Sequence, residues 1–294
     1  MSILAPEKTV TPEEMSLAVA ECSTPSLLQQ SDFLHRVESS IPKAIPLEVQ
    51  SVTVVIPALN EAGNLEKLFD RIYIAFEEIG VTLPVLVVDD GSTDESPDIL
   101  ARLSERYTFL TVIRHPQRLG VTAVWQTALS HVKTNWIFWG QADLESDPAT
   151  DIPKLLRAYR PGMVAISGWR QGRGDGKNQA SQLANRACRW AFGLHIHDMN
   201  WIKLVRRDTL LGLPIHLITH RFLLAVIAGL GYQVNEVKTP WYPRFSGSSK
   251  FGKKRLLVSA KDFLTVAAWF YLGRPLKQCL NCVGIVKTLI RATA

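Results

Sequence analysis

Two acidic side chains two residues apart, Asp143 and Glu145, are well suited to hold a divalent cation. Carboxylate oxygens are ligands that Mg²⁺ and Mn²⁺ readily take, and a cation bound in this way can neutralise a diphosphate. On its own, the tripeptide Asp-Leu-Glu is more typical of a solvated turn than of a metal site. Its position just after the apolar run Trp136–Trp139, a predicted strand, favours the metal site.

A second acidic group, Asp89-Asp90-Gly91-Ser92, follows the apolar run Val85–Val88. These residue types are ordinary in a turn or at a helix cap. Two adjacent carboxylates at a strand end can also accept hydrogen bonds from a ribose or from the N–H groups of a base. The chain lacks the glycine-rich fingerprints of dinucleotide-binding and P-loop proteins, so we expect cations to hold any phosphate.

The elements that must position these side chains are predicted from five apolar runs: Val52–Ile56, Val85–Val88, Phe109–Ile113, Trp136–Trp139 and Val164–Ser167. Helical patterns alternate with these runs, which predicts an α/β fold: a mostly parallel sheet with helices on both faces, followed by C-terminal amphipathic helices. Ligands bind at the carboxyl ends of such strands, so we expect both acidic groups on one rim. Asn60, which follows the first strand, is expected to cap the next helix.

Composition and charge narrow the class of protein. Of the 294 residues 47% are hydrophobic and 20% are charged, which excludes a mostly disordered chain and a small disulfide scaffold. Ten Lys or Arg residues and one acidic residue lie between Arg244 and Ala294, whereas 23 basic and 26 acidic residues precede Arg244. This asymmetry indicates an anionic partner such as a phosphate or a lipid surface. We do not expect a nucleic acid partner, because no recognition motif for one is present.

The chain divides into three parts. Residues 1–50, rich in Ser, Pro, Thr and Glu, are predicted to be a mobile leader, and residues 51–252 are predicted to be the folded domain. Residues 253–294 form a basic amphipathic segment that either packs on the core or lies on an anionic membrane surface. We find no secretory signal and no uncharged run of the about 20 residues that a membrane span needs, so a cytoplasmic, peripheral protein is expected. The lone pair Cys279 and Cys282 favours buried thiols over zinc.

Several motifs together resemble the family 2 inverting glycosyltransferases of GT-A fold: Val52–Glu61, Val87–Asp94 and Ala142–Leu144. Within that family the chain is most similar to the dolichol-phosphate or polyprenyl-phosphate sugar synthases, because it also has Gly168-Trp169-Arg170 and the segment Arg244–Gly252. The resemblance covers about residues 50–275. It implies that residues 51–252 form a GT-A domain. That domain would transfer a sugar, with inversion and with the help of Mg²⁺ or Mn²⁺, from a nucleotide-diphosphate sugar to a polyprenyl phosphate.

The resemblance also implies roles for individual residues. The nucleotide-binding residues would be Pro57, Leu59, Asn60, Glu61, Asp89, Asp90, Gly91, Asp143, Arg244 and Lys250. Asp143 and Glu145 would hold the metal, while Arg244 and Lys250 would clamp the diphosphate from a loop. The acceptor phosphate would be received by Arg170, Ser181 and Asn185. Asp143 and Arg170 are then the predicted catalytic residues.

The chain departs from the family pattern at four places. Gln141 replaces the first Asp of Asp-x-Asp, and Glu145 stands where the synthases usually have Gln. Gln182 stands where the synthases often have a second acceptor-binding Arg, and Asp198–Lys203 replaces a usual Asp-x-x-Ser-Gly-Phe-Arg. These departures leave two alternatives open. One is a lipid or glycan hydroxyl acceptor, with Asp198 as the first candidate for the base. The other is a catalytically weak nucleotide-sugar-binding partner subunit. A homo-oligomer is compatible with the sequence.

Overall fold

A seven-stranded sheet organises the protein. The computed structural model describes residues 45–46, 51–172, 178–218, 221–246 and 255–273, with only the backbone at 178–183 and 255–257. The strand order is β3-β2-β1-β4-β6-β5-β7. The strands are β1 (Val52–Ala58), β2 (Val85–Asp89), β3 (Leu110–Arg114), β4 (Trp136–Trp139), β5 (Met163–Gln171), β6 (Lys203–Arg206) and β7 (Gln233–Pro240).

Helices follow most of the strands, as the alternating pattern predicts. The α-helices that the structure describes are α1 (Ala62–Ile79), α2 (Ser96–Arg106), α3 (Val121–His131), α4 (Pro148–Arg157), α5 (Asn178–Phe192), α6 (Arg207–Leu211), α7 (Leu223–Gly229) and α8 (Arg255–Ala268). A π-helical turn, Trp269–Gly273, continues α8. The start of α4 is specified by its local sequence. Asp147 caps the helix by accepting a hydrogen bond from the backbone N–H of Ala149, and Pro148 is its first residue.

Both faces of the sheet are covered by helices. Successive residues of a strand point to opposite faces, so Val54 and Ile56 of β1 pack with α1, α2 and α4, whereas Val55 packs with α3, α5, α7 and α8. The continuous apolar runs reflect this double burial. The predicted α/β fold with helices on both faces is therefore confirmed.

The sheet is mostly parallel, and β6 is its antiparallel member. β6 lies between β4 and β5 and runs against both, whereas the other neighbouring pairs are parallel. An apolar run indicates a strand but not its direction, so this reversal could not be predicted from the sequence. Because β6 reverses, β5 and β7 run in the same direction as β4, and their carboxyl ends lie on the same rim.

The last described helix is only partly buried. In α8 and its π-helical turn, Phe263, Val266 and Phe270 pack on the core, whereas Leu264 and Leu272 are exposed. Within the described ranges, no helix has the length and apolar character needed to cross a bilayer. The predicted leader up to residue 44, the pair Cys279 and Cys282, and the boundary at 252–253 lie outside the described residues.

Candidate active site

The loops after β1 and β2 are tied together at the rim. Asn60 has a positive φ of 51°, and its backbone N–H donates to Ser92 Oγ at 2.8 Å while its Oδ1 accepts from the backbone N–H of Thr93 at 2.7 Å. The prediction that Asn60 caps α1 is therefore wrong: Glu61 precedes the helix, without a side-chain cap bond. The Asn60 amide instead joins two loops. The Glu61 carboxylate accepts from Asn64 Nδ2 at 2.6 Å.

Asp89 and Asp90 are both buried, but their contacts differ. Asp90 accepts from the backbone N–H groups of Leu119 and Gly120, at 2.8 and 2.9 Å, and lies 2.8 Å from His115 Nδ1, so its carboxylate organises the loop before α3. Asp89 Oδ1 accepts from the backbone N–H of Ser92.

The second oxygen of Asp89 is buried and accepts no hydrogen bond from the described residues. Asp89 Oδ2 lies 3.3 Å from Arg114 Nε, close enough for an ion pair. It has no aligned hydrogen-bond donor among the described residues. A buried acceptor of this kind suits a ribose hydroxyl or a base N–H. Gly91, in the loop after β2, has a φ of +75°, which favours glycine. A Cβ at this position would lie 2.4 Å from the carbonyl carbon of Gln117 and would clash with it.

Asp143 and Glu145 converge on one guanidinium. Arg244 Nη2 lies 2.7 Å from Asp143 Oδ2, and Arg244 Nε donates to Glu145 Oε1 at 2.8 Å. Between the two acids, Leu144 has a positive φ of 56°, a strained conformation that is typical of functional sites. Burial, with the nearby charge of Glu145, raises the pKa of Asp143 to about 6, although Arg244 opposes the shift.

This pair fits a divalent cation. Its two carboxylates already hold a cationic group, and the buried Gln141 Oε1, two residues before Asp143, has no hydrogen-bond partner among the described residues. No cluster of three or more His, Cys, Asp or Glu side chains suited to a metal occurs in the described part of the chain. One or two carboxylates are enough for Mg²⁺ when substrate phosphates supply further ligands.

On β5, Arg170 forms a two-pronged ion pair. Its Nε and Nη2 donate to the two carboxylate oxygens of Asp198 at 2.5 and 2.8 Å, and its guanidinium lies 4.5 Å from the centre of the Trp201 ring. The neighbouring Lys203 is fully buried and donates to the Trp201 carbonyl at 2.6 Å. Burial lowers the pKa of Lys203 to about 7, which Asp198 opposes and Arg170 reinforces.

The other acceptor residues are placed less completely. Asn185 Nδ2 donates to the carbonyl of His197, the residue before Asp198, so Arg170 and Asn185 both contact this one turn. The His197 ring stacks on Trp169 and its Nδ1 contacts Glu236. The Ser181 side chain and Lys250 lie outside the described residues. Pro57 and Leu59 are half-buried at the end of β1.

A model of the glycosyl transferase family 2 domain matches residues 53–214, more than half of the chain. The chain belongs to glycosyl transferase family 2. The glycosyltransferase is 26% identical over 221 residues to the undecaprenyl-phosphate 4-deoxy-4-formamido-L-arabinose transferase of Edwardsiella ictaluri, covering 74% of this chain and 68% of the relative. It is also 27% identical over 240 residues to the dodecaprenyl-phosphate galacturonate synthase of Rhizobium johnstonii, covering 78% and 70%.

Solved structures share the fold of this glycosyltransferase. A glucosyl-3-phosphoglycerate synthase from Mycobacterium tuberculosis in complex with Mg²⁺ and uridine-diphosphate has a TM-score of 0.59 at 19% identity, over 75% of this chain and 80% of that one. The mannosyltransferase PcManGT from Pyrobaculum calidifontis in complex with GDP-Man and Mn²⁺ has a TM-score of 0.52 at 20% identity, over 89% and 81%. At this level of identity the likeness is one of fold.

Sequence reasoning missed three residues of the glycosyltransferase that contact the predicted site. Arg114 ends β3 beside Asp89, His115 contacts Asp90, and Trp241 Nε1 donates to Glu145 Oε2 at 3.4 Å. The signal for Arg114 and His115 was present, since both directly follow the apolar run of a strand whose carboxyl end lies on the rim. Trp241 had no comparable signal, because its contact spans 96 residues.

Proposed function

We propose that the enzyme transfers a sugar from a nucleotide-diphosphate sugar to a polyprenyl phosphate, with inversion at the anomeric carbon. The relatives named for undecaprenyl and dodecaprenyl phosphate support this acceptor class. The proposal rests on one observation, the ion pairs of Arg244 with Asp143 and Glu145. These ion pairs join the acidic motif to the segment characteristic of lipid-phosphate synthases, across 99 residues of chain.

The donor would lie along the rim formed by β1, β2 and β4. Asp89 would bind the nucleoside through its second carboxylate oxygen, and Asn60, Asp90 and Gly91 shape the loops around it. Pro57, Leu59 and Glu61 would border the nucleotide. Asp143 and Glu145 would hold Mg²⁺ or Mn²⁺, which supplies positive charge to the leaving nucleoside diphosphate. The fold neighbours solved with Mn²⁺ or Mg²⁺ support this choice of ion. Arg244 and Lys250 would add cations to the same diphosphate.

Arg170 would orient the acceptor phosphate, helped by Ser181 and Asn185. A phosphate monoester is largely dianionic at pH 7, so it needs no strong base to attack the sugar, and alignment becomes the main requirement. The planar guanidinium of Arg170 suits this anion. Asp198, the candidate base for a hydroxyl acceptor, is instead paired through both oxygens with Arg170, which favours the phosphate acceptor.

The test is an assay with a panel of radiolabelled nucleotide sugars, Mn²⁺ or Mg²⁺, and either a polyprenyl phosphate or the matching polyprenol. We expect an acid-labile lipid-linked sugar with the polyprenyl phosphate only. A product formed on the polyprenol would assign the hydroxyl acceptor. Donor binding without transfer to either lipid would assign the partner-subunit role that Gln141 motivated.

We further propose that the enzyme meets its lipid as a peripheral protein on the cytoplasmic face of an anionic membrane. Trp190 on α5 is 89% exposed, and Arg186 and Arg189 lie beside it on the exposed side of this helix. Tyr271 and Leu272 are also exposed, and the Tyr271 hydroxyl donates to the carbonyl of Ala191. Aromatic and basic side chains together suit the interface of an anionic membrane.

Replacement of Trp190 by alanine should weaken sedimentation with phosphatidylglycerol-containing vesicles by about tenfold, because burial of a large apolar side chain contributes about 1.5–3 kcal/mol. Tyr73→Ala is the matched control, since Tyr73 is an exposed aromatic residue on α1, which packs on the opposite face of the sheet. An equal loss of vesicle binding in the two variants would show that Trp190 does not contact the membrane.

A further inference from the structure

All four carboxylate oxygens of Asp143 and Glu145 contact nitrogen atoms of the protein. Asp143 Oδ2 and Glu145 Oε1 contact Arg244 at 2.7 and 2.8 Å. Asp143 Oδ1 accepts from the backbone N–H of Glu145 at 3.2 Å, and Glu145 Oε2 accepts from Trp241 Nε1 at 3.4 Å. Every carboxylate oxygen of the pair therefore has a partner, and three of these four contacts come from Trp241 and Arg244.

This segment is held in place by contacts of its own. The backbone N–H of Trp241 donates to the Gln171 carbonyl at 3.3 Å, and the backbone N–H of Tyr242 donates to the Glu145 carbonyl at 3.0 Å. Further along, the Ser246 carbonyl accepts from Asn64 Nδ2 at 3.4 Å. Backbone contacts on both sides of Arg244 place its guanidinium over the acids, so the ion pair belongs to a packed arrangement.

A divalent ion needs the same oxygens that the guanidinium holds. Both are cations, and at this distance between half-buried groups their mutual repulsion is strong. We propose that Arg244 and the divalent ion are mutually exclusive occupants of Asp143 and Glu145, and that the donor diphosphate draws Arg244 off the acids so that the ion can bind. This inference rests on the proposed function, because it assumes the metal and the diphosphate donor.

Mutual exclusion couples the two ligands. Without nucleotide, part of the ion's binding free energy is spent on displacing Arg244, so the ion binds weakly. A diphosphate gives Arg244 another anion to pair with, so it should raise the affinity for the ion beyond its own direct contacts with the metal. Linkage requires that the ion raises diphosphate affinity by the same factor. The metal and the nucleotide would then enter together.

The proposal is tested by titrating the full-length protein with Mn²⁺ and following free Mn²⁺ by electron paramagnetic resonance. In the absence of nucleotide, Arg244→Gln should bind Mn²⁺ about tenfold more tightly than the wild type, a factor typical of losing one charge-assisted contact. Arg114→Gln is the matched control, because it removes one positive charge from the same rim but from a different carboxylate, Asp89. It should change Mn²⁺ affinity little.

A second titration adds UDP or GDP. The nucleotide should raise Mn²⁺ affinity by a larger factor in the wild type than in Arg244→Gln. If Arg244→Gln binds Mn²⁺ no more tightly than the wild type, Arg244 and the ion do not compete for the acids. That result would not contradict the proposed sugar transfer. Absence of Mn²⁺ binding in both proteins, even with nucleotide, would overturn the metal assignment as well. The polyprenyl phosphate assay in chelator would then decide independently whether transfer occurs.

Discussion

Replacement of Asp143 by asparagine is expected to abolish sugar transfer, with a loss of at least about 10²-fold in kcat. Asp143 is the more central of the two acids: its side chain is 14% exposed, against 22% for Glu145, and both contact the Arg244 guanidinium. Asparagine keeps the size of the side chain but removes the charge that would hold the divalent ion. The measurement is transfer at saturating donor and Mn²⁺, with circular dichroism to show that the fold is intact.

Variants at neighbouring positions serve as controls for Asp143. Glu145→Gln should weaken metal dependence less, and Gln141→Asp should be tolerated and should tighten metal binding, because it adds a negative charge. Since the pKa of Asp143 is raised to about 6, chiefly by burial, Mn²⁺ affinity should fall as the pH drops through 6 and the carboxyl takes up a proton. Full activity of Asp143→Asn in the presence of a chelator would contradict this assignment.

Replacement of Arg170 by alanine should lower kcat/KM for the lipid phosphate by about 10- to 100-fold, because a hydrogen bond to a charged group contributes about 1.5–3 kcal/mol. The dissociation constant of the nucleotide sugar should stay the same. Arg170→Lys should also fail, since a point charge does not reproduce the planar guanidinium, which pairs with both oxygens of Asp198 through Nε and Nη2.

Two further variants serve as a test of Arg170 orientation and as a control for the loss of a guanidinium. Asp198→Asn keeps the cation but weakens its orientation, so it should raise the KM for the acceptor without changing donor affinity. Arg157→Ala removes a guanidinium paired with Glu78 at 2.6 Å, at the ends of α4 and α1. These helix ends lie at the opposite edge of the sheet from the rim, so acceptor kinetics should be unchanged. Loss of donor affinity in Arg170→Ala with an unchanged acceptor KM would show that the two phosphate sites are exchanged.

The amino-acid sequence is enough to predict the class of fold and the rim of the sheet at which the chemistry lies. Continuous apolar runs such as Val52–Ile56 and Val85–Val88 predict strands that are buried on both faces. Such a run can be recognised from the sequence because its residues are adjacent in the chain. Once the strands are parallel, Asp89 and Asp143 must meet at one rim, because Asp89 directly follows the run Val85–Val88 and Asp143 lies in the loop after Trp139. The motif resemblance indicated the glycosyltransferase family that the match over residues 53–214 shows.

The contacts that each of these side chains makes depend on the folded chain and could not be predicted from the sequence. Asp89 and Asp90 are adjacent and chemically identical in the sequence, yet one has a carboxylate oxygen without a hydrogen-bond donor and the other binds the loop before α3. Asn60 reads as a helix cap but joins two loops. Arg244 reaches Glu145 across 99 residues because the reversed β6 brings β7 back to the rim. Local patterns encode elements, whereas contacts between distant residues depend on strand order and loop packing, which no short stretch of sequence contains.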